Sequence, residues 1–229
     1  MGTIIFDLFG TLIEKKSYDY QNALHWLADT YFEERFDELQ ALSLLFKTEY
    51  MELRKKENRE TSFFKQLALF EKKLGCKLYD NYSSVELQFI RKFREEKLID
   101  GIMELLEYLS HKHQEIYVLS NSLFSGNSLK AYLKDFGIDK YIEKVYSSAD
   151  IGFRKPSKEI FHYVLTDIGI SHPEKVFFIG DSLEKDYIGA KESGLTPILF
   201  SSKTVTSDLA FHNISSLLKY FQNLYDSYP

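Results

Sequence analysis

The sequence predicts an α/β fold, with a Rossmann-like parallel five-stranded sheet as its core and an inserted all-helical domain. Short apolar runs typical of buried strands alternate with amphipathic helical patterns in the second half of the chain. Such alternation is typical of a parallel sheet with right-handed crossovers. The stretch 16–96 breaks this alternation, because it consists of long helical patterns and contains no proline.

Five apolar runs are the predicted strands of the sheet. They lie at 3–8, 115–120, 143–147, 175–180 and 196–200. Amphipathic helices are predicted between or after the later runs, near 101–112, 126–136, 157–168, 184–193 and 213–226. Gly137, Gly169 and Gly194 stand where helix C-terminal caps are expected.

The helical stretch predicts a second domain. Its patterns cover about 18–33, 36–58, 61–74 and 82–96. We therefore expect an α/β core domain formed by 1–15 together with 97–229, and a helical domain formed by 16–96.

Composition narrows the range of functions and partners. The net charge of −5 argues against a general nucleic-acid surface, and Cys76 is the only cysteine, so no intrachain disulfide is expected. No apolar run approaches the ~20 residues of a membrane span. The N-terminus lacks the pattern of a signal peptide. A cytoplasmic location without membrane attachment is expected, and no feature of the sequence specifies an oligomeric state.

Polar residues follow the predicted strands at the points where these strands end. Asp7 and Asp181 follow apolar runs, Ser120 ends another, and Lys155 and Asp186 lie in nearby turns. Ligands bind at the carboxyl ends of the strands in an open parallel sheet, so these side chains are expected to share one crevice. Clustered carboxylates suit Mg²⁺, which is often bound together with a substrate phosphate.

The residues of the predicted crevice are of the types that phosphoryl transfer requires. An aspartate carboxylate can attack phosphorus and form an aspartyl phosphate. The charge on the transferred group then requires cations and hydrogen-bond donors, which Lys155 and the Ser120 hydroxyl could supply.

Four blocks of the sequence resemble motifs I to IV of the haloacid dehalogenase (HAD) superfamily. In order, they are Asp7-Leu8-Phe9-Gly10-Thr11, Ser120-Asn121, Lys155-Pro156, and Gly180-Asp181 with Asp186. The resemblance covers roughly 1–15 and 95–205. It implies the strand order 5-4-1-2-3, with Asp7 on the central strand. It also implies that 16–96 is a helical cap, which excludes water and selects the substrate and whose hinges lie near Glu14–Ser17 and Lys97–Gly101.

The resemblance assigns a role to each motif residue. The catalytic residues would be Asp7 as nucleophile, Ser120 and Lys155, while Thr11 and Asn121 would bind substrate. Mg²⁺ would be bound by the carboxylates of Asp7 and Asp181 and the backbone carbonyl of Phe9, with Asp186 in support.

The sequence departs from the pattern of the superfamily's phosphatases at Phe9. Those enzymes usually have a second aspartate there, which acts as the general acid and base, and phenylalanine can do neither. The expected function is a Mg²⁺-dependent, phosphatase-type hydrolase, a phosphomonoesterase, that acts on a small phosphorylated metabolite through an aspartyl phosphate. The alternatives are a haloacid dehalogenase-like or phosphonatase-like hydrolase, or a binding or regulatory member with low activity.

Overall fold

The main sheet is centred on the first strand of the chain. The computed structural model describes residues 2–201 and 209–226. The strands are β1 (Thr3–Phe6), β2 (Ile13–Tyr18), β3 (Arg94–Leu98), β4 (Glu115–Ser120), β5 (Lys144–Ser147), β6 (Val176–Gly180), β7 (Thr196–Phe200) and β8 (Ala210–Phe211). All four residues of β1 are buried, and β1 pairs in parallel with β4 on one side and β6 on the other.

The sheet order is β5-β4-β1-β6-β7-β8. The first five strands reproduce the predicted order and place the strand before Asp7 in the middle of the sheet. The predicted number of strands was wrong, because the described residues form a sixth strand. This strand, β8, pairs with β7 in parallel and is only two residues long, so it shows no alternating pattern in the sequence.

Helices cover both faces of the sheet. They are α1 (Tyr20–Tyr31), α2 (Phe36–Glu57), α3 (Phe63–Leu74), α4 (Tyr82–Phe93), α5 (Ile102–His111), α6 (Gly126–Leu133), α7 (Ser148–Ile151), α8 (Lys158–Asp167), α9 (Gly189–Glu192) and α10 (Ile214–Asp226). A π-helical turn, Leu183–Ile188, precedes α9. No helix among the described residues combines the length and the apolar composition that crossing a membrane requires.

Alternate residues of β1 point to opposite cores, as the two-residue period of a strand requires. Ile4 and Phe6 pack in the cluster that also contains residues of α5, α6 and α10. Ile5 packs in a second cluster with residues of α8 and α9. The helices α1 to α4 share the first cluster, so the helical segment and one face of the sheet have a continuous apolar core.

A two-stranded antiparallel ribbon joins the helical segment to the sheet. Its strands are β2 and β3, and Ile13 lies opposite Leu98. The predicted helix 82–96 is therefore too long, since α4 ends at Phe93. The charged sequence Arg94–Leu98 has no apolar strand pattern, and pairing with β2 overrides its helical propensity.

Candidate active site

The strand register brings the predicted site residues to one edge of the sheet. Phe6 lies opposite Val118 and Ile179, so the chain emerges from all three central strands at the same level. A cavity of about 410 Å³ opens there. The predicted residues that line it are Asp7, Phe9, Ser120, Asn121, Lys155, Asp181 and Asp186.

Lys155 is the buried cation of this cavity. Its Nζ lies 2.6 Å from Asp7 Oδ1 and 2.7 Å from Asp186 Oδ1, and it donates to the Leu119 carbonyl at 2.8 Å. Burial opposes the charge of the lysine, but the two carboxylates outweigh it and raise the pKa of Lys155. The lysine is therefore held as an ammonium ion between two carboxylates.

Asp7 is held by contacts on both of its carboxylate oxygens. Thr11 Oγ1 donates to Oδ2 at 3.4 Å, Lys155 contacts Oδ1, and the backbone N–H of Asp7 donates to the Ile179 carbonyl at 2.8 Å. Burial raises the pKa of Asp7 to about 7, against the lowering effect of Lys155. Thr11 does not line the cavity, so in this structure its hydroxyl orients Asp7.

Three carboxylates converge at this edge. One oxygen each of Asp7, Asp181 and Asp186 lies within 4.8 Å of the others. Burial raises the pKa of Asp181, and the Asp186 carboxylate raises it further. Two of these carboxylates contact Lys155, and the oxygens of all three are the donor type that Mg²⁺ prefers.

Two glycines leave room for this convergence. Gly10 has a φ of 98°, and a Cβ on it would collide with the Asp181 carboxylate. A Cβ on Gly180 would collide with the Asp186 carboxylate in the same way. The Asp186 carboxylate is further fixed by the backbone N–H of Ser182, which donates to its Oδ2 at 3.0 Å. The local backbone is thus shaped around the carboxylates.

Ser120 and Asn121 have different surroundings although they are neighbours. The Ser120 hydroxyl is buried and has no hydrogen-bond partner among the described residues. The Asn121 side-chain amide is hydrogen-bonded twice to the Lys155 backbone: Asn121 Nδ2 donates to the Lys155 carbonyl at 2.9 Å, and the Lys155 N–H donates to Asn121 Oδ1 at 2.8 Å. Asn121 therefore positions the lysine loop, while Ser120 has an unused donor at the cavity.

Arg94 is a site neighbour that the sequence pattern did not reveal. Its guanidinium carbon lies 3.9 Å from the centre of the Phe9 ring. Arg94 also pairs with Glu96 at 2.7 Å. Because β3 was predicted as helix, no feature of the sequence placed Arg94 opposite Phe9.

A second ionic cluster ties the helical segment to the Lys155 loop. Glu60 Oε2 accepts hydrogen bonds from Arg154, from Arg54 at 3.4 Å and from Ser148 Oγ at 2.8 Å. The backbone N–H of Glu60 donates to the Gly152 carbonyl at 2.9 Å. Arg154 also lines the site cavity. A lone glutamate among many charged residues gave no signal of this contact.

The fold and the motifs at this sheet edge are those of a known enzyme class. The sequence model of the family described as haloacid dehalogenase-like hydrolase matches residues 1–194. The chain belongs to this family, and the predicted membership is confirmed.

Individual relatives match part of the chain. The HAD-hydrolase YfnB of Bacillus subtilis is 34% identical over 110 residues, 47% of this chain and 46% of YfnB. The pyrimidine 5′-nucleotidase YjjG of Escherichia coli is 33% identical over 97 residues, 42% of each chain. The chain thus spans less than half the length of these two relatives.

Solved structures share the fold over almost the whole chain. The magnesium-bound crystal structure of YfnB has a TM-score of 0.59 at 20% identity. The alignment covers 96% of this chain and 98% of the YfnB chain. A 2-haloacid dehalogenase from Pseudomonas syringae pv. Tomato has a TM-score of 0.65 at 15% identity, with coverage of 98% and 99%. At these identities the likeness shows the fold alone, and the fold is shared by enzymes named for different reactions.

Proposed function

We propose that the protein is a magnesium-dependent phosphatase that hydrolyses a small phosphorylated metabolite through an aspartyl phosphate on Asp7. The observation that carries this proposal is the convergence of three carboxylates beside Lys155, two of them buried and in contact with it. It combines a nucleophile, a cation and a set of carboxylate oxygens for a metal ion in one cavity. The nucleotidase activity in the name of YjjG is in keeping with a phosphate ester as substrate.

The side chains of the cavity divide the work of phosphoryl transfer. The Asp7 carboxylate attacks phosphorus, the bond to the leaving oxygen breaks, and water then hydrolyses the aspartyl phosphate to release inorganic phosphate. Lys155 neutralises charge on the phosphoryl oxygens. The buried Ser120 hydroxyl supplies a donor to one of these oxygens.

The residues of the cavity fit a Mg²⁺ ion. The carboxylates of Asp7 and Asp181 and the backbone carbonyl of Phe9 would bind it, with support from Asp186. The donor set consists of oxygens only, and the close approach allowed by Gly10 and Gly180 brings the carboxylates together. When bound, Mg²⁺ would offset the negative charge of the cluster and of the phosphate.

The helical segment 16–96 is proposed as a cap domain on a core domain formed by 1–15 and 97–229. The ribbon of β2 and β3 carries both connections between them. This proposal is supported by the contact of Glu60, within the segment, with Arg154, which lines the site cavity. A cap in this position excludes water and selects the substrate. We also propose that the protein acts in the cytoplasm.

The test is a panel of alkyl phosphates, aryl phosphates and a 2-haloacid, each assayed with and without Mg²⁺. Turnover of phosphates only with Mg²⁺ is the expected result. Release of halide without metal would instead support the dehalogenase alternative, which Phe9 also permits because that branch lacks the second aspartate. Asp7→Asn serves as the control for the site, since either activity requires the carboxylate nucleophile.

A further inference from the structure

A second cavity adjoins the proposed active site. Its volume is about 520 Å³, and it lies between the helices α1 to α4 and the loop 121–124. Its lining is rich in aromatic side chains, among them Tyr20, Phe46, Phe89 and Phe93. We call it the aromatic cavity. Small-molecule sites are typically of this size and composition, at roughly 300–1,000 Å³ with mostly apolar and aromatic walls.

The aromatic cavity and the site cavity are neighbours. Asn121 lines both of them. Phe9 lines the site cavity, and the Arg94 guanidinium above its ring lines the aromatic cavity. Tyr50 of the aromatic cavity accepts a hydrogen bond from Arg154 of the site cavity at 3.3 Å. A group attached to a phosphate at Asp7 therefore has the aromatic cavity as its adjacent space.

The charges around the leaving group are unusual for an enzyme that must protonate it. The described residues that line the aromatic cavity include Lys47, Arg54 and Arg94 but no aspartate or glutamate. The carboxylates of the site cavity are the three of the proposed metal and nucleophile cluster. Among the described residues that line the two cavities, no carboxylic acid outside that cluster is available to protonate a departing oxygen. The cations of the aromatic cavity favour a negative oxygen, although Arg54 and Arg94 also pair with Glu60 and Glu96.

We infer that the substrate is an aryl phosphate, whose aromatic ring lies in the aromatic cavity; this assignment rests on the proposed function. The Asp7 oxygen forms a bond to phosphorus while the bond from phosphorus to the aryl oxygen breaks. The electron pair of that bond leaves on the aryl oxygen as an aryl oxide, which takes its proton from solvent. Water then cleaves the aspartyl phosphate, which gives inorganic phosphate and restores the carboxylate.

Two independent features of the molecule favour an aryl phosphate as substrate: the aromatic walls of the cavity, and Phe9 in place of an acid. Aromatic walls recognise a flat ring by stacking and edge contacts. The polar carbon chain of an ester such as glycerol phosphate could not make these contacts. An aryl oxide is a much better leaving group than an alkoxide, so its departure tolerates Phe9 in place of an acid. The same cavity would suit an aromatic group on an alkyl phosphate, but the missing acid disfavours that ester.

The experiment compares kcat/KM for four esters with Mg²⁺: 2-naphthyl phosphate, phenyl phosphate, glycerol phosphate and a nucleoside 5′-monophosphate. We expect 2-naphthyl phosphate to exceed phenyl phosphate by about tenfold, as burial of a second ring would give, and both to exceed the two alkyl esters. Equal or faster turnover of either alkyl ester would overturn the aryl assignment and leave the proposed phosphatase intact. Failure to turn over any phosphate would overturn the proposed function, and the aryl assignment with it.

A pair of matched variants tests where the ring lies. Phe46 lines the aromatic cavity on α2, and its ring stacks at 6.5 Å from that of Tyr50. Phe64 on α3 is also half-buried, contacts Tyr82 and does not line the cavity. Phe46→Ala should lower the ratio of naphthyl to phenyl kcat/KM at least threefold, and Phe64→Ala should leave it unchanged. An unchanged ratio in Phe46→Ala, or the same drop in both variants, would remove the ring from this cavity.

Discussion

Two clusters of buried charge lie on either side of the loop that contains Arg154 and Lys155. Arg154 belongs to one cluster, and Lys155 belongs to the other. Lys155 lies among three carboxylates of the site cavity. Arg154 shares Glu60 with Arg54, which leaves two cations around one carboxylate. Both clusters contain buried groups, but the charged groups of the two clusters differ in how many partners each of them has.

The Glu60 carboxylate finds all of its partners within the protein. Its carboxylate accepts from two guanidinium groups and from the Ser148 hydroxyl, and Oε1 accepts from the backbone N–H of Thr61 at 3.1 Å. At the site, by contrast, like charges are held together and a serine hydroxyl has no partner among the described residues. Like charges held together cost free energy of folding and are typical of functional sites, whereas a carboxylate satisfied by cations and hydrogen-bond donors is typical of a structural contact.

The largest effect is expected for Asp7→Asn. An amide cannot act as the anionic nucleophile, so kcat on an aryl phosphate should fall by more than about 10³-fold. Circular dichroism should show an unchanged fold, because asparagine has the same size and shape as aspartate. Rapid quench with a ³²P-labelled substrate should trap a phosphoenzyme in the wild type only. Retained turnover in the variant would mean that water attacks phosphorus directly.

Lys155→Met should lower kcat by about 10²-fold or more, because it removes the cation nearest to the nucleophile. Lys185 provides a matched control, since it also lines the site cavity but is exposed. Lys185→Met is expected to lose less than about tenfold, because solvent screens an exposed charge. Equal losses in the two variants would show that the burial of Lys155 between carboxylates has no special part in catalysis.

Asp181→Asn should weaken Mg²⁺ binding by about tenfold or more. The measurement is the rise in melting temperature as Mg²⁺ is added, because a cation that binds only the native state stabilises it. Glu60→Gln is the comparison, since it alters a buried carboxylate outside the proposed metal site. If the Mg²⁺-dependent shift were the same in wild type and Asp181→Asn, Asp181 would not be a ligand.

Glu60→Gln should reduce the free energy of unfolding by about 3 kcal/mol, since breaking a buried ion pair leaves the remaining charges uncompensated. Arg54 and Arg154 are the groups left without their carboxylate. Urea denaturation measures the change, and Glu57→Gln at an exposed position nearby is the control. A loss confined to catalysis, with unchanged stability, would show that the second cluster is part of the active site.

Residues that follow strands could be predicted from the sequence, and residues that meet between the helical segment and the rest of the chain could not. Asp7 and Asp181 each follow a short apolar run, so the rules of parallel sheets place them together. The pairing of Asp186 with Lys155 was not predicted, because motif spacing indicates proximity to a metal and not which charges pair. Arg94 lies in a charged segment whose strand structure depends on its partner β2, and this dependence is invisible in a local pattern.

The smallest effect is expected for Phe9→Asp, which restores the residue type that phosphatases of the superfamily usually have. A general acid normally contributes ~10²–10⁴-fold, but its pKa must lie near the working pH. The Arg94 guanidinium lies 3.9 Å from the centre of the Phe9 ring. A carboxylate introduced there would be held ionised by this cation, and an ionised carboxylate cannot protonate a leaving alkoxide.

We therefore expect kcat/KM for an alkyl phosphate to rise less than about tenfold in Phe9→Asp, and kcat/KM for an aryl phosphate to stay the same or fall. The measurement is kcat/KM for both substrates in the wild type and in the variant. A rise of 10²-fold or more on the alkyl ester alone would show that Arg94 leaves the new acid free to work, and that only the side chain at position 9 separates this protein from an alkyl phosphatase.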